Sequence, residues 1–434
     1  MKAKKYLWSM ICVYMCYLTH GIQALILSQN NVNFATQWGF DMSDPTSTVY
    51  AAGIAAVSSA IAWTGLGKFI SVWIGGEISD KIGRKKMMIA GAALYILCFA
   101  GLLTTTNPTL AAVCAFMAGV ATSGFWDAAG YPAVQEAYTA APGAALIAIK
   151  FFVSLSGMVY PLLAVQLAST GNWKTSVIIP LVMSVVCLAL AVIAPFAYDD
   201  MKKSAAAAGG NSKESDAVKA DIEAQKAAML TKPSKVVVFL VMFYAFLCMA
   251  IMYGAQQYTK AFGIAVCGLP EMEAASLTTW FTLGSLAAVI FWAIMMAKLK
   301  WNPLKVILID SIMTAVALAG VLFIHEVVII KIAIVLLGFF ASGGALQTGL
   351  GVVQEFNPGP KGRNTGIYYT FMGAASYSIP VVAAQLTKAS GESSAVYTLM
   401  GMLLVFAVLA ILSSLFLVGQ YKKIFGTSPL SQSK

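Results

Sequence analysis

Apolar stretches long enough to cross a bilayer recur along this chain, and short polar or charged runs separate them. At about 1.5 Å of rise per residue, a hydrocarbon layer roughly 30 Å thick needs about 20 apolar residues in a helix. Twelve segments meet that requirement: residues 6–28, 49–74, 87–106, 110–131, 144–168, 176–197, 236–258, 274–297, 306–324, 327–353, 366–386 and 396–419. One stretch interrupts the rhythm. Residues 199–235 are rich in Ala, Lys, Asp and Glu, with Gly209 and Gly210 as breaks, and read as a solvated tether between two groups of six.

Composition agrees with the pattern. The 434 residues are 59% hydrophobic and 11% charged, with a mean hydropathy of +0.79, which excludes a soluble globule. A net charge of +10 would suit nucleic acid, but its distribution argues for membrane topology. With both termini in the cytoplasm, the cytoplasmic segments hold 22 of the 28 Lys and Arg residues, as the positive-inside rule requires. The seven cysteines are scattered singly, without metal-ligand spacing, and read as small apolar residues. The first apolar segment exceeds a signal-peptide core and is expected to be retained.

The densest charged run is residues 76–86, Gly-Glu-Ile-Ser-Asp-Lys-Ile-Gly-Arg-Lys-Lys, between the second and third crossings. Its glycines suit a tight turn and close packing, and its basic cluster holds a loop in the cytoplasm. The run resembles the signature loop of the major facilitator superfamily, with Gly76, Asp80, Lys81, Gly83, Arg84 and Lys85 on the defining positions. Ile78 and Ser79 are mild departures. The resemblance implies a transporter whose loop serves conformational switching through Gly76, Asp80, Gly83 and Arg84.

An internal repeat supports two halves. A shift of 219 residues aligns Gly119 with Gly338, Ser123 with Ser342, Gly124 with Gly343, Gly130 with Gly349, and Val134-Gln135-Glu136 with Val353-Gln354-Glu355. Trp63-x-x-Leu66-Gly67 likewise matches Trp280-x-x-Leu283-Gly284. The expected fold is an all-α integral membrane protein of twelve transmembrane helices, in two six-helix pseudo-symmetric halves around a central cavity. Its divisions are residues 1–198, the cytoplasmic linker 199–235, residues 236–420 and a cytoplasmic tail, 421–434.

Charges inside a membrane are costly, so they face cavities, pair together and mark pathways. Lys68, Asp127, Lys150 and Asp310 lie within the predicted crossings, and Asp310, about one turn into the ninth, reads as structural. Distances from the connecting turns put Asp127, Lys150 and Lys68 at one depth. The stretch 124–132 around Asp127 is similar to the fourth helix of fucose-permease-like proton symporters, which implies a required membrane acid at Asp127. Lys68 and Lys150, His20 and Gln23 in the first crossing, and Tyr253, Gln256 and Gln257 in the seventh are substrate-binding candidates.

These features favour a secondary transporter that couples protons to symport of a small polar metabolite. Two lysines against one aspartate favour an organic anion such as a carboxylate, and a neutral sugar or polyol is the alternative. A multidrug antiporter fits less well, because residues 157–161 lack the Gly-Pro-rich pattern of such carriers; a non-transporting sensor would need a signalling domain. Nothing suggests an enzyme, a metal, a cofactor beyond the proton gradient, or a nucleic-acid partner. A monomer in the inner (plasma) membrane is expected.

Overall fold

The computed structural model describes residues 5–139, 142–208, 223, 226–227, 229–343, 345–358 and 361–431. It is helical throughout. The elements of the first part are α1 Leu7–Gln29, α2 Asn31–Gln37, α3 Thr48–Ile82, α4 Arg84–Thr104, α5 Pro108–Gly119, a π-helical stretch Val120–Asp127, α6 Ala128–Ala137, α7 Pro142–Ser169, α8 Thr175–Ile193 and α9 Ala197–Ala208. Then follow α10 Lys235–Ala265, α11 Glu271–Lys298, α12 Pro303–Phe323, α13 Val327–Ser342, α14 Ala345–Phe356 and α15 Lys361–Phe425.

Among the described residues, ten helices are long and apolar enough to cross a membrane. The longest, α15, runs through two predicted crossings and is divided by Gly391, whose φ of 77° only glycine adopts without strain. Together with α13 and α14, which share the predicted tenth segment, this agrees with twelve crossings. Helix starts are written in local chemistry. Asn107 and Asn302 each cap the helix that follows, accepting from the backbone N–H of Thr109 (2.8 Å) and Leu304 (2.9 Å), with proline at the first helical position.

Two compact units make up the chain. The first holds residues 1–209, 257–279 and 376–398; the second holds residues 210–256, 280–375 and 399–434. Each contains the same helix contact. In the first, a Cβ on Gly67 would strike the carbonyl of Phe116, and one on Gly119 the carbonyl of Thr64, so α3 and α5 meet backbone to backbone. In the second, Gly284 faces the carbonyl of Val335 and Gly338 that of Phe281, joining α11 to α13 in the same way. Small residues that let backbones approach are the usual adhesive between helices in lipid, where no hydrophobic force drives association. The sequence repeat is thus a repeat of contacts.

The charged run 76–86, expected as a loop, is mostly helix. Residues through Ile82 continue α3, and Arg84 begins α4, so Gly83 alone makes the turn, with φ 97°. Gly76 does not pack closely as expected, since a Cβ there would meet open space. Its neighbour Gly75 fills that role against the backbone of Gly124. The tether 199–235 also begins as structure. Helix α9 docks on the same turn, Asp199 accepting from the backbone N–H of Lys85 (3.1 Å) and Asp200 pairing with Lys5 (2.7 Å). Most of the remaining tether lies outside the described residues.

Candidate functional site

Asp127 closes the π-helical stretch of the fourth predicted crossing. Such wide turns inside an α-helix occur disproportionately at functional sites, because they aim side chains and loosen backbone carbonyls that a regular helix would bind. One carboxylate oxygen of Asp127 accepts from the Tyr17 hydroxyl on α1 at 3.0 Å. The other accepts from Ser123, one turn earlier, also at 3.0 Å. Tyr17 reaches the loosened Trp126 carbonyl as well, at 3.4 Å. Lys68, on α3, acts on the same carboxyl electrostatically, without closing to a direct ion pair. A carboxyl, an ammonium and two hydroxyls therefore converge from α1, α3 and the π-helical stretch.

A second polar group adjoins this one. His20 Nδ1 lies 3.0 Å from the Tyr95 hydroxyl, which is 2.6 Å from Thr122 and donates to Gln23 Oε1 at 3.4 Å. Tyr95 stacks on Trp126, ring centroids 4.2 Å apart and planes 13° from parallel, and Trp126 anchors to the Met88 carbonyl at 3.3 Å. The residue preceding Asp127 is thus clamped by an aromatic stack. His20 and Gln23, substrate-binding candidates in the sequence, both meet the Tyr95 hydroxyl. Neither Tyr95 nor Thr122 was foreseen, because hydroxyls scattered through apolar helices carry no periodic signal.

The remaining candidates are more spread. Lys150 is half-buried on α7. Tyr253, Gln256 and Gln257 follow one another along α10, the first and last of them buried. Gln257 donates to the Ala24 carbonyl at 2.7 Å, and its own buried oxygen has no partner among the described residues.

At the turn of Gly83 the charges form a compact lattice. Arg84, expected in a cytoplasmic loop, is only 6% exposed. Its guanidinium pairs with Asp80 (2.7 Å) and Glu136 (3.1 Å), donates to Ser79 (2.6 Å) and lies 4.3 Å from the centre of the Tyr198 ring. Tyr198 and Lys202 donate in turn to the Asp80 carbonyl, at 2.8 and 3.1 Å. Five elements (α3, α4, α6, α9 and the turn itself) are tied by one arginine and its neighbours. Glu136 belongs to the repeat noted in the sequence, and its counterpart Glu355 accepts from the Tyr421 hydroxyl at 2.8 Å. Among the described residues no group of histidines, cysteines and carboxylates could hold a metal ion.

Comparison with known proteins agrees with this architecture. The sequence profile of the Major Facilitator Superfamily matches residues 10–376. Inner membrane transport protein YdiN of Escherichia coli (strain K12) is 27% identical over 97% of this chain and 92% of its own length. Inner membrane transport protein YdiM of the same organism is 28% identical over 87% of each. Among solved structures, a D-xylose-proton symporter superposes with a TM-score of 0.69 over 95% of this chain and 97% of its own, at 16% identity, which speaks for the fold alone. A multi-pass helical chain with this signature turn, this internal repeat and this profile belongs to the Major Facilitator Superfamily and is a membrane transporter rather than an enzyme.

Proposed function

We propose that the protein is a proton-coupled symporter of a small polar metabolite, most naturally an organic anion, and that Asp127 carries the proton. The observation that supports this reading is the placement of one carboxyl, within a membrane crossing, between two hydroxyl donors and the field of Lys68. Burial favours the neutral acid, whereas the donors and the lysine favour the carboxylate. Small changes in helix position therefore decide whether the proton is held, which is the property a coupling group needs. Lys68 and Lys150 supply positive charge for a substrate carboxylate, with His20, Gln23, Tyr253, Gln256 and Gln257 as further hydrogen-bonding candidates. The distribution of Lys and Arg supports both termini on the cytoplasmic side, and the names of the two E. coli relatives support an inner membrane.

In proteoliposomes, Asp127→Asn imitates the permanently protonated acid. It is expected to exchange bound substrate across the membrane but to lose accumulation driven by a proton gradient. Robust proton-driven accumulation by the variant would overturn the assignment. The substrate class has its own arm. Lys68→Gln or Lys150→Gln should weaken binding of an acid far more than of its amide, because a desolvated ionic partner is costly to lose. Equal losses would favour the neutral sugar or polyol alternative. The carrier of the proton and the charge of the cargo are thereby tested separately.

A further inference from the structure

The second unit contains an acid that the transport reading leaves unused. Asp310 lies at the eighth position of α12, two turns from its start rather than the one expected, and is 1% exposed. Among the described residues neither of its carboxylate oxygens has a hydrogen bond of good geometry; the Trp292 indole N–H on α11 approaches the carboxyl and acts on it without closing a well-formed bond. Trp292 is itself 2% exposed. Beside the carboxyl is a small cavity, its free space on the scale of a single water molecule, lined by Tyr244 and Cys248 of α10, by Ser311 and Thr314 of α12, and otherwise by carbon.

We propose that Asp310 is a proton-binding site within the second unit, separate from Asp127, and that it holds a proton in this conformation. An ionised carboxylate buried this deeply without a well-formed hydrogen bond is too costly to persist, so such a group is either neutralised by a proton or balanced by a cation. Among the described residues, the groups facing it supply no cation. From α10 come the Tyr244 phenol and the Cys248 thiol; from α11 the Trp292 indole; from α12 the two hydroxyls; from α13 Phe340 and Ala341; and from α15 Ala410. The basic residue Lys305, on the same helix, lies 4.3 Å from the centre of the Trp301 ring. A bound metal cation is poorly served as well. Hard cations take about six or more oxygens, whereas the cavity lining offers only three side-chain hydroxyls besides the carboxyl; the Ser311 hydroxyl, donating to the Ile307 carbonyl at 2.8 Å, is not available to donate to the carboxylate. A proton needs only the carboxyl. The neutral acid then presents a carbonyl oxygen that the Trp292 N–H can meet after a slight adjustment.

The internal repeat gives the site its contrast. Ser285 and Ser342, which match Lys68 and Ser123, face one another at 2.8 Å, so a hydroxyl pair stands in the second unit where the first carries its lysine. The buried carboxyl of Asp310 is set elsewhere, on α12. A motion of α12 against α10 and α11 that admitted water to the cavity would solvate the carboxylate and release the proton.

Infrared spectroscopy of the purified full-length protein in lipid tests this directly, because a protonated carboxyl has a carbonyl stretch well separated from that of a carboxylate. At neutral pH and low sodium, wild type is expected to show a protonated-carboxyl band that Asp310→Asn removes and Asp127→Asn leaves in place. Trp292→Phe should shift that band to higher frequency by removing the donor. The Asp310 variant is judged only as a monodisperse sample; should it not fold, the Trp292→Phe shift decides. The proposal is overturned by identical carboxyl bands in wild type and folded Asp310→Asn, by no shift in Trp292→Phe, or by loss of the band on adding sodium at constant pH. None of these readouts depends on Asp127 being the coupling group, so either assignment can fail alone.

Discussion

Arg84 shows how far one side chain can depart from its expected surroundings. In the sequence it sits in a charged run after an apolar helix and reads as part of the basic cluster that holds a loop in the cytoplasm. In the structure the Tyr198 ring and Glu136 enclose it, and its ionic partners differ sharply in exposure. The Glu136 side chain is 20% exposed, that of Asp80 66%. Losing a buried partner strands a desolvated charge, which costs about 3–5 kcal/mol, whereas an exposed pair contributes about 0–1 kcal/mol. Arg84→Gln is therefore expected to lower the thermal stability of the purified protein markedly. Asp80→Asn should leave stability nearly unchanged and slow transport, with substrate affinity within a few-fold. Equal melting temperatures for Arg84→Gln and wild type would contradict the burial argument. Asp127 was legible in the sequence because a carboxyl stands out in apolar surroundings. Its hydroxyl partner Ser123 and the stacked pair Tyr95 and Trp126 were not, since Ser, Tyr and Trp are ordinary in membrane helices and only the fold brings them together.

Between helices, the controlling contacts are those of glycine against backbone. The repeat in the sequence pointed to Gly67, Gly119, Gly284 and Gly338 without saying what they touch; the structure sets each against a carbonyl of the partner helix. Any side chain there must push two backbones apart, and overpacking of that kind costs about 1–3 kcal/mol or more. Gly119→Val and Gly338→Val are each expected to reduce folded yield and thermal stability, while Gly76→Ala, with open space around it, should be neutral. A neutral Gly119→Val in a thermal-shift assay would refute the contact. The misassignment between Gly75 and Gly76 has a simple cause. Adjacent helix positions differ by about 100° around the axis, and a pair of identical residues does not say which one faces inward. The π-helical stretch was invisible for a related reason, because the residues of a wide turn have no distinctive order of apolar and polar types.

At the scale of the whole molecule, twelve crossings and a two-fold repeat could be read from length, hydropathy and register, whereas membership of the compact units could not. Residues 257–279 and 376–398 come from the second half of the sequence, yet they pack within the unit of the first. Polar contacts help to tie them in. Lys260, its side chain 4% exposed, donates to the Gln29 carbonyl at 2.8 Å and pairs with Glu271 at 2.9 Å. Gln29 reaches Thr278 at 3.3 Å, and Thr279 reaches the Met158 carbonyl at 2.8 Å. Charge-assisted hydrogen bonds contribute about 1.5–3 kcal/mol, so Lys260→Met should loosen this end of the unit. A cysteine at Thr278 is expected to react with a maleimide about tenfold faster in the Lys260→Met background. An unchanged labelling rate would show that packing alone holds the end closed.

The repeated glycine contacts also record where the chain has changed length. The matching positions on α3 and α11 are 217 residues apart, those on α5 and α13 are 219 apart, and α12 already starts at the larger spacing. The two additional residues therefore fall in the turn 299–302, the counterpart of Gly83, where Lys300 is exposed with φ 51°. One turn is locked by an arginine lattice and the other accommodates two more residues at an exposed position. That contrast recommends Lys300 as the place to graft a fluorescent or affinity tag, and it warns against grafting one at Gly83.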